Sequence, residues 1–307
     1  MIDLNSLSLP DLYVELTKDG SLGRLLDLAR AEDLAAQGDV TTESIARAAA
    51  TPTAAEAVLV ARQEGAIAGL TTLPEVIAAF EADVSFKIIA EDGRLCTPDQ
   101  ILGRLHGPLS AILPLERTLL NLLGRLSGVA TLTRQYVDAA AGTKAVVCET
   151  RKTTPGLRGV EKYAVRCGGG TLHRLGLHDA ALYKDNHLAH VPPENLQAEL
   201  AEAIRFARSQ HDLRFVQVEV DTLDQLERVL AIERGLVDMV LLDNMPPEEL
   251  CQAVEIRNRK APAVLLEASG GVTLLAVRAI AETGIDRISV GALTHSAQCL
   301  DIGLDIA

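Results

Sequence analysis

Basic side chains are concentrated in one part of this acidic chain, between residues 149 and 187. Arginine presents a planar fork of N–H donors that matches carboxylates and phosphates, and lysine adds a compact positive charge. The segment therefore suits a small ligand that carries several anionic groups, and a solvent-exposed charged surface is the alternative reading. Its basic residues include Arg151, Lys152, Arg158, Lys162, Arg166, His173, Arg174, Lys184 and His187, against the acidic Glu149, Glu161, Asp179 and Asp185.

Glycines and carboxylates further along the chain indicate that the ligand carries phosphate. The clusters Ser269–Gly271 and Gly291–Ala292 can turn main-chain N–H groups toward a phosphate. Glu219 and Asp243 are candidates to hold sugar hydroxyls or a Mg²⁺ ion bound to a diphosphate. A structural pair of buried acids, bridged to nearby lysines, is the alternative for these two carboxylates.

Short aliphatic runs and helical patterns alternate from about residue 143 onward, which is typical of βα units around a parallel sheet. Polar residues follow nearly every run, so the candidate residues should converge at the end of an α/β barrel or doubly wound sheet where active sites lie. The predicted strands are Ala145–Cys148, Ala180–Tyr183, Phe215–Val220, Met239–Leu242, Val264–Leu266 and Arg287–Val290. The predicted helices are Glu194–Ser209, Leu223–Glu233, Pro246–Arg257 and Leu274–Glu282.

The pattern differs before residue 110, where helices precede candidate strands at Ala57–Arg62, Val84–Ala90 and Ile101–Leu105, separated by glycine turns. The apolar periodicity of Leu115–Ala141 predicts one or two helices that lead into the barrel. We therefore predict an α+β domain over residues 1–117 and an α/β barrel over residues 118–294. The tail, from about residue 295 to residue 307, is expected to return to the first domain.

Charge and composition argue against several classes of partner. The chain has 29 Lys and Arg residues against 42 Asp and Glu, a net charge of −13, which disfavours nucleic acid and anionic membranes. Five cysteines without C-x-x-C spacing, no signal-peptide pattern and no membrane-length apolar run predict a cytosolic protein with reduced thiols. The P-loop, dinucleotide-binding, zinc-protease and serine-hydrolase motifs are all missing from the sequence.

Short motifs run along nearly the whole chain. They are Gly38-Asp39-Val40-Thr41, Glu64-Gly65, Ala68-Gly69, Glu116-Arg117-Thr118, Asn121, Arg125-Leu126-Ser127-Gly128, Ala130-Thr131, Thr150-Arg151-Lys152-Thr153-Thr154-Pro155-Gly156, Glu161-Lys162-Tyr163-Ala164, Gly168-Gly169-Gly170, His173-Arg174, Lys184-Asp185-Asn186-His187, Leu241-Leu242-Asp243-Asn244, Glu267-Ala268-Ser269-Gly270-Gly271 and Ser289-Val290-Gly291-Ala292-Leu293-Thr294-His295-Ser296. Together these motifs resemble those of the quinolinate phosphoribosyltransferase family, and the combination is highly specific.

The resemblance implies an open α/β barrel of the seven-stranded type, joined to an N-terminal α+β sandwich domain. It implies a homodimer whose active sites lie between one barrel and the partner's N-terminal domain. The implied reaction joins quinolinate to the phosphoribose of phosphoribosyl pyrophosphate, with Mg²⁺, and releases nicotinate mononucleotide, diphosphate and CO₂. This reaction belongs to NAD biosynthesis.

The resemblance also implies roles for individual residues. Arg151, His173, Arg174 and Lys184 would surround quinolinate, with Arg117 entering from the other subunit. Lys152, Glu219 and Asp243 would be catalytic and hold phosphoribosyl pyrophosphate, the two carboxylates through Mg²⁺. The remaining substrate-binding positions, which include main-chain contacts to phosphate, are Thr150, Ser269, Gly270, Gly271, Gly291, Ala292 and Leu293.

Three alternatives remain beside this prediction. A relative of the same fold could act on another pyridine acid such as nicotinate, a Schiff-base aldolase could use Lys184, and a non-catalytic phosphate sensor could share the fold. Three positions depart from the usual family pattern: Gln217 stands where glutamate is common, Glu149 where aspartate is frequent and Leu172 where asparagine is common. These departures concern the fine positioning of ribose and pyridine.

Overall fold

A computed structural model describes residues 2–48, 54–188, 191–192 and 195–306 of the chain. The chain forms two compact units. The barrel unit comprises Met1–Asn5, Gln135–Lys152 and Gly170–Ala292, and the N-terminal unit comprises Ser6–Arg134, Thr153–Gly169 and Leu293–Ala307. The units thus interleave along the chain.

The helices and strands agree with the predicted alternation. The α-helices of the described residues are α1 (Leu9–Thr17), α2 (Ser21–Leu34), α3 (Val40–Ala48), α4 (Leu73–Ala79), α5 (Leu109–Ala140), α6 (Arg158–Cys167), α7 (Asp185–Leu188), α8 (Leu196–Gln210), α9 (Leu223–Leu230), α10 (Pro247–Lys260), α11 (Val277–Glu282) and α12 (Ala292–His295). The strands are β1 (Ala54–Ala61), β2 (Gly65–Ala66), β3 (Ser85–Ile88), β4 (Leu95–Cys96), β5 (Ile101–Pro108), β6 (Val146–Cys148), β7 (Ala181–Tyr183), β8 (Val216–Val220), β9 (Met239–Asp243), β10 (Leu265–Ser269), β11 (Arg287–Ser289) and β12 (Ile302–Ile306).

The barrel unit is built on a six-stranded parallel sheet in the order β6-β11-β10-β9-β8-β7. Between β6 and β7 in sequence, one isolated parallel bridge joins Cys148 to Thr171. This bridge stands where the seventh strand of a barrel is expected. The predicted α/β class is confirmed.

Alternation along β8 shows how the sequence produces a polar barrel interior. The side chains of a strand alternate between its two faces, so the valines at 216, 218 and 220 share one face while Gln217 and Glu219 share the other. The strand gives way quickly to α9 because Thr222 and Gln225 form a reciprocal capping box, which satisfies main-chain donors at the helix start.

The N-terminal unit contains a four-stranded antiparallel sheet in the order β12-β1-β5-β3, together with the short β2–β4 pair. The C-terminal strand β12 pairs with β1 from Ala57↔Ile306 to Ala61↔Ile302. The long helix α5 is continuous although it contains Pro114, whereas the sequence predicted one or two helices beginning at Leu115. Pro114 is the sixth residue of α5, so it removes one main-chain hydrogen bond near the start of the helix without ending it.

Two further expectations concern membranes and thiols. Among the described helices, none combines the length and the apolar character that a membrane span requires. All five cysteines are free: Cys96, Cys148 and Cys167 are buried, and Cys251 and Cys299 are exposed.

Candidate active site

The carboxyl ends of the parallel strands bring most of the predicted residues to one end of the barrel unit. Strand register decides which of them are neighbours: Ser269 lies directly opposite Asp243 across the β9–β10 pair. Tyr183 pairs with Val218, so the next residues, Lys184 and Glu219, also face each other. The predicted residues that belong to this unit are Thr150, Arg151, Lys152, His173, Arg174, Lys184, Glu219, Asp243, Ser269, Gly270, Gly271, Gly291 and Ala292.

Two arginines form a positive centre that makes no ion pair with a carboxylate of the described residues. Arg174 is 7% exposed, and its Nη1 makes a long, 3.4 Å hydrogen bond to the carbonyl of Ala180. Burial and the positive charge of Arg151 hold the pKa of Arg174 below its usual value, although Asp179 and Glu219 act in the opposite direction. The buried Nε of Arg151 has no hydrogen-bond partner among the described residues. Two such guanidinium groups favour an anionic ligand, because it would neutralise charge that the protein leaves unpaired.

His173 lies at the centre of a buried polar network. Its Nε2 lies 2.9 Å from Oε1 of Gln217 and 3.2 Å from Oε1 of Glu267. Its Nδ1 accepts the main-chain N–H of Arg174 at 2.8 Å, which assigns the ring proton to Nε2 in the neutral tautomer. The contact with Glu267 is close but not a well-directed hydrogen bond, so Gln217 is the acceptor that orients the ring.

Glu267 anchors the opposite side of this network. It is fully buried, and its Oε2 accepts a 2.9 Å hydrogen bond from Nε of Arg287. Burial raises the pKa of Glu267, but the His173 ring and the Arg287 guanidinium outweigh that effect and hold the pKa well below its usual range. The carboxylate is therefore ionised at neutral pH and fixes a charge inside the barrel.

The loop after Arg174 is held by one carboxylate. Asp179 accepts the main-chain N–H groups of Leu175 and Gly176, each at 2.8 Å. It also lies 3.4 Å from Nη1 of Arg214. Burial raises the pKa of Asp179, but the two N–H donors and Arg214 bring it below its usual value. This arrangement fixes the turn that leads from Arg174 to β7.

Lys184 and Glu219 form an ion pair at the end of β7 and β8. Lys184 Nζ lies 2.5 Å from Oε2 of Glu219, and the lysine side chain is 40% exposed. On the next strand, Asp243 accepts a 2.7 Å hydrogen bond from Nδ2 of Asn244. The pairing of Glu219 with a lysine agrees with the structural alternative for these acids, but the exposure of Lys184 leaves it accessible to a ligand.

The loop after β10 requires glycine at position 270. Gly270 has φ 93°, and a Cβ there would lie 2.1 Å from Oδ1 of Asn244. The preceding residue, Ser269, accepts the main-chain N–H of Asn244 at 2.9 Å. Gly271 also has positive φ, but the space around it is open. A tight turn followed by open space is compatible with main-chain contacts to a phosphate.

The remaining predicted residues are distributed as follows. Thr150 Oγ1 accepts the main-chain N–H of Lys152 at 3.0 Å, and the Lys152 side chain is exposed. Gly291 and Ala292 are partly exposed after β11. Arg117 and Leu293 belong to the N-terminal unit: the arginine side chain is 67% exposed, whereas Leu293 is fully buried.

Three buried polar residues and the partly exposed Arg287 were not among the predicted site residues. Glu149, Gln217 and Glu267 are fully buried, and Glu149 Oε1 accepts the main-chain N–H of His173 at 2.8 Å. Arg287 completes the set through Glu267. The polar residues within otherwise aliphatic strands were the available signal, because a polar face on a buried strand indicates a barrel interior.

The fit of the site to Mg²⁺ depends on its carboxylates. In the described part of the chain, no group of three or more His, Cys, Asp or Glu side chains is arranged to hold a metal ion. Mg²⁺ in phosphate-binding sites needs only one or two carboxylates, because the substrate supplies further oxygens. Glu219 and Asp243, on adjacent strands, fit that minimal donor set.

Comparison with known proteins gives matches over nearly the whole chain. Family models of the N-terminal and C-terminal domains of quinolinate phosphoribosyl transferase match residues 39–127 and 129–305. A Mycobacterium leprae (strain TN) protein named nicotinate-nucleotide pyrophosphorylase (carboxylating) is 43% identical over 279 residues, which cover 90% of this chain and 93% of that protein. A nicotinate-nucleotide pyrophosphorylase structure from Francisella tularensis has a TM-score of 0.82 at 34% identity, with complete coverage of both chains. One from Ehrlichia chaffeensis has a TM-score of 0.81 at 38% identity and covers 92% of this chain and 98% of that one.

Proposed function

The chain belongs to the quinolinate phosphoribosyltransferase family, and we propose that it transfers phosphoribose from phosphoribosyl pyrophosphate to quinolinate with loss of CO₂. The product is nicotinate mononucleotide, a precursor of NAD. The observation that carries this proposal is the unpaired Arg151–Arg174 centre. A pyridine dicarboxylate would supply the negative charge that these guanidinium groups lack.

The quinolinate subsite is formed by Arg151, His173, Arg174 and Lys184. The two arginines bind the ring carboxylates. The His173 ring is held beside them because its Nδ1 accepts the main-chain N–H of Arg174. Fixing both carboxylates places the pyridine nitrogen in line with the anomeric carbon of the ribose, which reduces the entropic part of the barrier.

The phosphoribosyl pyrophosphate subsite lies at the ends of β8 to β11. Glu219 and Asp243 hold the ribose hydroxyls or Mg²⁺, Lys152 contacts the diphosphate, and main-chain groups of the β10 and β11 loops contact phosphate. The supporting main-chain positions, together with Thr150, are Ser269, Gly270, Gly271, Gly291, Ala292 and Leu293. Mg²⁺, when bound with the diphosphate, would neutralise the negative charge that develops on the leaving group.

The reaction proceeds in two stages. The pyridine nitrogen forms a bond to the anomeric carbon as the bond to diphosphate breaks, through an oxocarbenium-like transition state. The ring nitrogen is then positive, and it stabilises the electron pair left on the adjacent carbon when the neighbouring carboxylate leaves as CO₂. That carbon finally takes up a proton. A site shielded from water favours this loss of charge.

The direct test incubates the protein with quinolinate, phosphoribosyl pyrophosphate and Mg²⁺ and measures nicotinate mononucleotide and CO₂. We expect nicotinate to be used far less well, because a monoacid leaves one buried guanidinium unpaired. Comparable kcat/KM values for the two acids would refute the substrate assignment. Borohydride trapping with a carbonyl substrate tests the aldolase alternative, and a protein that binds both ligands without turnover would be a phosphate sensor.

The homodimer with shared sites is a further part of the proposal. The exposure of Arg117, whose Nη2 lies 3.9 Å from Oε1 of Glu116, is compatible with a role in the partner's site. Arg117→Ala and Lys184→Ala should each be inactive, yet co-expression should restore about one quarter of the sites, because half of randomly paired dimers are hybrids with one intact site. If hybrid dimers are shown to form but activity does not recover, Arg117 acts in the active site of its own subunit.

A further inference from the structure

Among the described strands, the segment that carries His173 and Arg174 has one sheet neighbour, β6, through the bridge between Thr171 and Cys148. On the β6 side, the main-chain N–H groups of Thr171 and His173 donate at 2.8 Å to the carbonyl of Val147 and to Oε1 of Glu149. Alternate residues of an extended chain direct their polar groups to opposite sides. The N–H and C=O of Leu172 therefore face away from β6, and the carbonyl lies at a long distance, 3.5 Å, from Nη2 of Arg287.

A residue from the start of the chain satisfies both groups of Leu172. The side-chain amide of Asn5 accepts the N–H of Leu172 at Oδ1, 2.7 Å away, and donates from Nδ2 to the carbonyl of Leu172 at 3.3 Å. An asparagine amide has the same donor and acceptor as a peptide group. Asn5 thus supplies Leu172 with the donor and the acceptor that a residue of a neighbouring strand would supply.

We propose that Asn5 is a positioning residue for the anion-binding pair His173 and Arg174, acting through the main chain of Leu172. The next residue, His173, is fixed by Glu149 on one side and by this amide pair one residue earlier. Arg174 follows, its N–H bound to the His173 ring. Asn5 precedes both regions that match the family models. The kinetic part of this inference rests on the proposed function.

Two variants of the same N-terminal segment separate positioning from general stability. Asn5→Leu keeps the side-chain size and removes both hydrogen bonds to Leu172. Asp3→Ala is the matched control, because Asp3 belongs to the same N-terminal segment and its Oδ1 accepts the main-chain N–H of Asn5 at 3.0 Å. Asn5→Ala serves as a second variant if the leucine fails to fold.

The first readout is amide hydrogen exchange, which does not depend on activity. Asn5→Leu should accelerate exchange at Leu172, His173 and Arg174, since local opening becomes easier when a segment loses its hydrogen bonds. The second readout is kinetic: kcat/KM for quinolinate should fall about 10- to 100-fold, the effect of a misplacement of about 1 Å. The Kd for phosphoribosyl pyrophosphate alone should change less than about twofold, and Asp3→Ala should leave both readouts near wild type.

Three results would overturn the inference: normal quinolinate kinetics despite faster exchange, an equal loss of phosphoribosyl pyrophosphate binding, or the same changes in Asp3→Ala. If the wild-type protein does not turn over quinolinate, the proposed function fails instead. Exchange at His173 and Arg174 then decides the positioning role. Unchanged exchange there rejects it, and faster exchange confined to Asn5→Leu supports it.

Discussion

Arg174 should stabilise the complex with substrate and destabilise the free protein. It is almost completely buried, and Asp179 and Glu219 attract its charge without forming an ion pair with its guanidinium group. Its guanidinium makes a 3.4 Å hydrogen bond to Ala180, which contributes at most about 1 kcal/mol. A buried charge that is only partly compensated costs several kcal/mol even after relaxation, on the order of 2–4. We therefore expect Arg174→Met to raise the free energy of unfolding by about 1–3 kcal/mol, since methionine keeps most of the side-chain volume.

The same substitution should remove activity. Loss of one partner of a buried charged contact with quinolinate should cost about 2–5 kcal/mol of transition-state binding. That free energy corresponds to a decrease of about 30- to 5,000-fold in kcat/KM. Stability and activity are thus expected to change in opposite directions, as they do where a functional site is held in a destabilising arrangement.

Arg287→Met is the matched control. Its guanidinium group is also inside the barrel, with 13% of the side chain exposed, but it pairs with the fully buried Glu267 at 2.9 Å. Removing it takes the arginine partner from a buried carboxylate, and we expect a loss of about 3–5 kcal/mol of stability. Urea unfolding in a buffer without phosphate or sulfate measures both variants. If Arg174→Met is destabilised as much as Arg287→Met, the unpaired state assigned to Arg174 is wrong.

Three further predictions test the site and its electrostatics. Arg151→Ala should lose about 2–5 kcal/mol of transition-state binding. Arg158, whose Nε donates a hydrogen bond to Oγ1 of Thr153, should matter less, so Arg158→Ala should lose less. Equal kcat/KM values for the two variants would contradict the assignment of Arg151 to the site. Asp243→Asn should weaken binding of phosphoribosyl pyrophosphate more than that of quinolinate in separate calorimetric titrations, and a loss confined to quinolinate would reject its role. The basic partners of Glu267 and Asp286 hold the pKa values of these acids below their usual range despite burial. The two acids therefore stabilise the folded protein above about pH 4.3, and this contribution is lost as the pH falls through their folded-state pKa values. A urea midpoint that rises as the pH is lowered from 5 to 3 would contradict this.

The barrel strands could be predicted because each one is an aliphatic run bounded by polar residues. The predicted run Phe215–Val220 corresponds to β8, and Met239–Leu242 to β9, within one residue at each end. The predicted helix Glu194–Ser209 corresponds to α8, although Glu194 lies outside the described residues. The predicted helix beginning at Leu274 starts later, at Val277, because Thr273 and the residues after it form a turn first.

Contacts between distant parts of the sequence could not be predicted from local patterns. Nothing near Asn5 indicates that its amide pairs with Leu172, 167 residues away. Likewise, the residues of α6 around Cys167 do not indicate that this helix belongs to the N-terminal unit. Within that unit, Gly159 of α6 lies so close to the carbonyl of Leu16 that a side chain would not fit. Periodicity reports which face of an element is buried, but it does not report the partner.

Gln217 determines the charge balance inside the barrel. The interior network contains the ionised Glu267, with Arg287 as its partner, and Nδ1 of His173 accepts the main-chain N–H of Arg174. The amide of Gln217 lies 2.9 Å from Nε2 of that ring and orients it without adding charge. A glutamate, which is common at this position in the resembling family, would add a further negative charge to this buried network, where an additional charge is costly. In this chain the glutamine therefore holds the His173 ring, and with it the N–H of Arg174, by a neutral contact.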